Sequence, residues 1–354
     1  MLIIKLYHSQ SLDQETFPLP LHSTYEFEIS FADELDELWT DELWELAEKL
    51  GESSAWWILK PGMADRGMGI RLFNTKDGLR CIFEEFEEDS EDEKVDADLS
   101  TTSVITSQLR HFVIQKYIGS PLLMDPSETV AAQLERNVNL KGHKFHLRVY
   151  CVAKGALEVY LYDRVLSLFS SVPYQPLHAS DEAPGPIDLT PHLTNTSLQS
   201  HRGEEGVRLL QELVGCHILS GDHEASRRLT SEDVNSIIKQ ITQVLSATFK
   251  AALQMPVHFQ PLPNAFELFG VDFLIVHGVN ADCPFGVKLL EINAEPAIEL
   301  TGPRLSWILE DLFIQIGKTC VEPFFDQNAV PNKHSSNVDS KDHFIKCLEE
   351  HIRG

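Results

Sequence analysis

The sequence predicts an α+β fold built from antiparallel strand pairs backed by long amphipathic helices, and three stretches predict it. Residues 143 to 163 (HKFHLRVYCVAKGALEVYLYD) read as two strands that turn at Lys154-Gly155, as a tight hairpin does. Phe266 to Val276 and Val287 to Ile292 are two further apolar runs of strand length, separated by a turn-rich insert. Thr230 and Asp233 form a capping-box pattern ahead of Val234, Ile237, Ile238, Ile241, Leu245, Thr248 and Phe249, which recur at helical spacing.

The remaining elements follow in chain order. Leu35, Leu38, Trp39, Leu43, Leu46, Ala47 and Leu50 repeat every three or four residues, so one amphipathic helix is expected over 33–50. Ala55 to Leu59 is a strand-like run that delivers Lys60 into a loop containing Pro61, Gly62, Gly67 and Gly69, after which Ile70 to Phe73 is extended again. Glu84 to Asp98 holds ten carboxylates and one lysine, which predicts a solvated, mobile insertion. His111 to Ile118 returns as a strand, a proline-rich loop covers 176–191, and Val207 to His217 reads as a helix. Leu305, Ile308, Leu309, Leu312, Phe313 and Ile316 give a last packed helix, 327–340 a polar linker, and 341–352 a short terminal helix.

Composition narrows the function classes. Apolar residues make up 43% and charged residues 23% of 354, which suits a globular chain with a large core. No apolar run approaches the ~20 residues that cross a bilayer, and the first ten residues lack the basic and apolar regions of a secretory signal, so a cytoplasmic protein is expected. A formal net charge of −25 argues against direct nucleic-acid binding, which relies on clustered Lys and Arg. Six scattered cysteines without a CxxC pair predict reduced, mostly buried thiols and no zinc site.

Chemistry concentrates on a few strands. Glu291 and Asn293 stand two apart on one strand and project from the same face, so a carboxylate and an amide oxygen can converge on a cation, with Asp272 joining from the neighbouring strand. Three lysines also lie on apolar strands. Lys60 ends the first, Lys116 alternates with Ile114 and Ile118, and Lys144 shares a face with His146 and Arg148. Together they could neutralise a polyphosphate while Gly67 and Gly69 let backbone amides close over it. Singly, each also fits a solvated edge residue, and the GxG lacks both the Walker pattern and the dinucleotide fingerprint. His143, His146 and His192 are read as hydrogen-bonded structural histidines rather than a metal trio.

The order of motifs resembles the tubulin-tyrosine ligase-like family, whose members share the ATP-grasp fold. The resemblance runs over residues 55–320 through WWILKP and its glycine-rich loop, FVIQKYI with PLLM, GHKFHLRVY, YLYD, HLTNTS, FELFGVDF and LLEINAEPAI. It implies two α/β lobes with antiparallel sheets clasping ATP: a central lobe over 55–118 carrying the acidic insertion 84–98, and a C-terminal lobe over 119–326. Residues 1–54 would be a partial N-terminal domain and 327–354 a linker with a terminal helix. By the same resemblance Lys60 and Lys144 contact phosphates and Lys116 sits beside the adenine. Gln115, Tyr117 and Ile118 form the hinge that reads the adenine edge, and His146 lies in the same nucleotide site. Asp272, Glu291 and Asn293 hold Mg2+, while Arg148 and Asn195 face the phosphate and the acceptor. The implied reaction joins an amino acid to a protein carboxylate through an acylphosphate, with tubulin as a possible acceptor.

Several positions depart from the family pattern. KFHLR stands where KFDxR is usual, placing His146 at a carboxylate position. After YLY the family has Arg-Glu-Gly and a further Arg, whereas this chain has Asp163, Arg164, Val165 and then Leu168, so an acceptor clamp is missing or shifted to Arg164. Glu295 adds a charge where small residues are usual, and the first 50 residues lack a counterpart of the family's N-terminal domain. These departures support a second expectation, a nucleotide-binding interaction module that has lost ligation. Its role would be that of a scaffold in a larger complex, such as the messenger-RNA decay bodies with which some fungal relatives are linked.

Overall fold

The computed structural model describes residues 23–52, 55–62, 68–92, 111–129, 139–178, 187–194, 206–221, 227–257, 259–280, 283–296, 298, 302–325 and 342–351. Their backbone is α+β, with two antiparallel sheets. The first has four strands in the order β1-β4-β2-β3, where β1 is Thr24–Glu28, β2 Trp57–Pro61, β3 Arg71–Phe73 and β4 His111–Lys116. Helices α1 (Leu35–Leu38), α2 (Trp44–Glu52) and α3 (Lys76–Asp92) accompany it. Their apolar faces close one core with the sheet, in which the Phe83 ring stands edge-on to Phe112 at 5.0 Å. Residues 24–52, set apart above as a terminal segment, thus supply an edge strand and two helices to this sheet and its core.

The second sheet has eight strands. Its spine is β11-β10-β6-β7-β12, with β6 His143–Lys154, β7 Glu158–Tyr162, β10 Phe266–Asn280, β11 Cys283–Asn293 and β12 Phe344–Glu349. Strands β5 (Leu123–Met124) and β8 (Leu166–Phe169) pair with β6, and β9 (Val207–Leu209) pairs with β8. Helix α4 (Ser231–Leu253) buries Val234, Ile237, Ile241, Leu245 and Phe249 against one core, and α5 (Gly302–Ile316) buries Leu305, Ile308 and Leu312 in another. Thr230 caps α4 as expected, its hydroxyl accepting from the Asp233 N–H at 3.1 Å.

Five expectations change. The single helix over 33–50 is broken between Leu38 and Trp44, where the Leu43 N–H returns to the Leu38 carbonyl, so that both halves bury their leucines. The acidic insertion is helical up to Asp92. Leu79, Ile82, Phe83 and Phe86 fall on one face and dock on the sheet, while Glu84, Glu85 and Glu88 remain exposed; residues 93–98 lie outside the described ones. Val207 to His217 is not an α-helix but strand β9, with Leu166 opposite Leu209, followed by a 3-10 turn over Leu210–Leu213. No turn-rich insert separates the two late strands, since β10 runs on to Asn280 and β11 starts at Cys283. Residues 344–349 form a strand paired with β7, not a helix, because Phe344 packs on Tyr160 and Tyr162 and Leu348 reaches the core.

All six cysteines are free thiols, with Cys151, Cys216 and Cys320 buried and Cys81 and Cys283 exposed. Among the described residues no helix is long and apolar enough to cross a membrane.

Candidate active site

The two sheets face each other across a cleft that is open to solvent. Ile58 of β2 and Ile70 on one side, with Leu274 of β10 and Leu290 of β11 on the other, give it apolar walls. Gln115 and Lys116 of β4 continue into Tyr117 and Ile118 along the back. The polar end gathers Lys60, Lys144, His146, Thr194, Asp272 and Glu291.

Alternation and register explain that convergence. On β6, Lys144, His146 and Arg148 share one face. Arg148 lies directly opposite Asp272 on β10, and Asp272 lies opposite Glu291 on β11, so three charges line up across three adjacent strands. Arg148 Nε donates to Asp272 Oδ1 at 2.5 Å and Nη2 to Oδ2 at 3.0 Å, a buried two-pronged pair. Asn293 Nδ2 donates to Glu291 Oε1 at 3.3 Å, which places the two on the same face as their spacing requires.

The lysines do different work. Lys60 Nζ donates to Gln115 Oε1 at 3.2 Å and reaches the Leu290 carbonyl of the opposite sheet at 3.5 Å, linking the two walls. Lys144 Nζ donates to the Tyr117 hydroxyl at 3.2 Å and lies 4.4 Å from the Tyr117 ring centre. The Tyr117 hydroxyl is also bonded to His192 Nδ1 at 3.0 Å. Burial, with Lys60 nearby, pushes the Lys144 ammonium down to about 7. His146 is fixed through Nδ1 to the Thr194 hydroxyl, and its Nε2 is buried without a hydrogen-bond partner, 3.6 Å from Asp272 Oδ1. Burial, then Arg148, lowers its titration to about 3, so the ring is neutral at physiological pH.

Asp272, Glu291 and Asn293 offer two carboxylates and an amide, the hard oxygen set that suits Mg2+. Among the described residues no cluster of three His, Cys, Asp or Glu side chains could form a metal cage by itself. Lys60, Gln115, Lys116, Tyr117, Ile118, Lys144, His146, Asp272 and Glu291 all line the cleft, while Arg148 and Asn293 bond to residues that do. Gly69 adopts φ +71 at the described end of the glycine-rich loop; Gly67 and Asn195 lie outside the described residues. His192 is indeed hydrogen-bonded, yet it and Thr194 also line the cleft, a role for which HLTN was the available signal. Asp163 is held by His343 Nδ1 at 3.0 Å, and the Arg164 guanidinium sits 5.8 Å from the Trp307 ring centre.

A model of the tubulin-tyrosine ligase family matches residues 5–329, further toward the N-terminus than the motifs reach. The chain belongs to the tubulin-tyrosine ligase family. This family member is 37% identical over 341 residues to the probable tubulin–tyrosine ligase PBY1 of Saccharomyces cerevisiae, covering 92% of the chain but only 41% of that relative. A probable tubulin–tyrosine ligase of Schizosaccharomyces pombe is 34% identical over 359 residues, covering 97% of the chain and 76% of the relative. The crystal structure of the C-terminal domain of K. lactis Pby1, described as an ATP-grasp enzyme interacting with the mRNA decapping enzyme Dcp2, superposes with a TM-score of 0.59. At 28% identity it covers 99% of this chain and 77% of that one. The tubulin-tyrosine ligase member described here therefore has the ATP-grasp fold.

One glycine holds the loop after Asn293 against the site. A Cβ on Gly270 would lie 2.7 Å from the Cβ of Pro296, too close for both to stay in place. Gly270→Ala is expected to destabilise the protein by about 1–3 kcal/mol and displace the Ala294–Pro296 segment, read as a lowered denaturation midpoint with an unchanged m-value.

Proposed function

We propose that the chain is a Mg·ATP-dependent carboxylate–amine ligase that adds an amino acid to a carboxylate on a protein. The observation that carries this reading is the convergence in one cleft of Lys60, Lys144, Asp272 and Glu291 with an apolar slot, Arg148 being bonded to Asp272. The slot between Ile58, Ile70, Leu274 and Leu290 would take the adenine, with Gln115 to Ile118 reading its edge. Lys60 and Lys144 would bind phosphate oxygens, and Gly67 and Gly69 would let the loop close over them. Asp272, Glu291 and Asn293 would hold Mg2+, whose role is to neutralise charge on the transferring phosphoryl group. Arg148 and Asn195 would orient the terminal phosphate and the acceptor. The acceptor carboxylate oxygen attacks that phosphorus as the bond to the leaving diphosphate oxygen breaks. The amine then attacks the acyl carbon, phosphate departs, and the amine loses a proton.

A second reading rests on Asp163 and Arg164. Asp163, held by His343, puts a carboxylate that would repel an acceptor carboxylate where the family has an arginine, and the Arg164 guanidinium is drawn to Asp163 at 3.6 Å and to the Trp307 ring. On this reading the cleft binds nucleotide while the protein serves as a scaffold, in keeping with the partnership described for K. lactis Pby1. The net charge of −25 also opposes encounter with an acidic tubulin tail.

Incubation with Mg·ATP, labelled amino acids and a panel of acceptors that includes tubulin separates the two. ATP-dependent label on an acceptor carboxylate is the expected result. Nucleotide binding without incorporation across the panel would leave the scaffold reading, and absence of nucleotide binding would overturn both.

A further inference from the structure

Asp272 faces two ways. As a metal ligand it must offer an oxygen to a divalent cation, yet each of its oxygens already accepts from Arg148, Oδ1 from Nε and Oδ2 from Nη2, and the guanidinium charge opposes a second cation there. The pair is not a surface encounter: both residues are buried, and they are direct partners in the register of β6 and β10. A planar guanidinium fork matches a carboxylate as no single ammonium does, so this is a well-made cation site filled by a side chain. His146 Nε2 at 3.6 Å is too distant to share in the hydrogen bonding. Glu291 and Asn293, bonded to each other at 3.3 Å, form the other half of the candidate metal site.

We propose that Arg148 is an internal stand-in for the metal, occupying Asp272 in the unliganded protein and yielding it only when a triphosphate offers the guanidinium another anion. The inference rests on the reading of the cleft as a Mg·ATP site. It makes metal and nucleotide binding interdependent. A cation arriving alone must displace a buried, bidentate arginine whose other carboxylate neighbour, Glu291, belongs to the same candidate metal site. A cation arriving with a triphosphate finds Asp272 released. If the Arg148–Asp272 pair is closed about 90–99% of the time, affinity for metal alone falls by about 10–100-fold. Linkage then requires the metal to tighten nucleotide binding by the same factor as nucleotide tightens metal binding. Arg148 is in this role a positioning residue for Asp272, in addition to any contact with phosphate.

The test is Mn2+ binding to the full chain, by calorimetry and by the paramagnetic signal of the free ion, with and without a non-hydrolysable ATP analogue. The native protein is expected to bind Mn2+ weakly alone and about 10–100-fold more tightly with the analogue. Arg148→Gln should gain affinity for Mn2+ alone by a similar factor while losing affinity for the analogue. Mn2+ without nucleotide should also raise its melting temperature more than that of the native protein. Arg148→Lys, which keeps the charge but not the fork, should fall between, and it carries the comparison should the glutamine variant not fold. A native chain that binds the Mn2+–analogue complex, with neither variant gaining affinity for Mn2+ alone, overturns the gate and leaves the cleft reading standing. A native chain that binds no such complex overturns the cleft reading and the gate with it.

Discussion

Changing Glu291 to Gln is expected to abolish the metal-dependent part of nucleotide binding and to lower ATP turnover or ligation at least about a hundredfold, the equivalent of about 3 kcal/mol of lost metal stabilisation. The substitution keeps the shape of the side chain and an oxygen that can still accept from Asn293 Nδ2, so the β10–β11 pairing has no reason to change. What is lost is one negative charge from a site with two carboxylates. Calorimetry of a non-hydrolysable ATP analogue, with and without Mg2+, checks this directly. The native chain should bind more tightly with Mg2+, and the variant should bind with the same weaker affinity in either condition. Mg2+-dependent binding or turnover that survives the substitution would remove Glu291 from the metal site.

Lys144→Met is expected to act in opposite directions on stability and on binding. The ammonium is buried, and burial with Lys60 nearby brings its titration down to about 7 from the ordinary lysine value. Between there and the unfolded value near ~10.4 the native state holds fewer protons than the unfolded chain, so unliganded stability rises with pH in that window, by up to about 1.4 kcal/mol per pH unit. Below pH 7 the full penalty of the buried charge is present. Methionine removes that penalty and fills a similar volume, and the Tyr117 hydroxyl keeps its bond to His192, so the variant should be about 1–3 kcal/mol more stable near pH 7. Denaturant titrations at pH 7 and 9 should show the native slope with pH and its loss in the variant. Nucleotide affinity should move the other way. Phosphate oxygens beside Lys144 restore its proton, so the native protein at pH 8 should take up close to one proton on binding and lose affinity as pH rises above 7. Calorimetry in buffers of different ionisation enthalpy measures that uptake, which should be near zero in the variant. An unchanged uptake would place the responsible group elsewhere.

How much of this was legible beforehand depends on which force decided each element. Strands β6, β7, β10 and β11 were readable because each is long, apolar and bounded by turn residues, and the site row follows from their alternation once the register is known. Register was the missing quantity. Nothing in the sequence places Arg148 opposite Asp272, since that pairing joins strands separated by most of the second sheet's chain, and so the closed Arg148–Asp272 pair became visible only in three dimensions. Helix α3 was obscured by its charge: the ten carboxylates of 84–98, seven of them in the helix, outweigh Phe83 and Phe86 in any compositional reading, although those two rings anchor the helix. Strand β12 was missed for a related reason. Its short apolar pattern also fits a helix, and only the aromatic surface of β7 decides between them. The proposed nucleotide hinge came from the family motifs and the candidate metal set first from strand alternation, while the tie of Lys144 to Tyr117 and of Tyr117 to His192 had no signal at the level of spacing.

The strand pairings also set an order of assembly during synthesis. Every strand of the first sheet has left the ribosome once Lys116 has, so that lobe can complete its sheet early. The second sheet waits. Strand β6 needs β10, and β7 needs β12, which is made after every other strand of that sheet. Between the synthesis of Lys116 and that of Asn293 a finished first lobe therefore exists beside a cleft with no opposite wall, its lysines in place before the carboxylates they will face have been made.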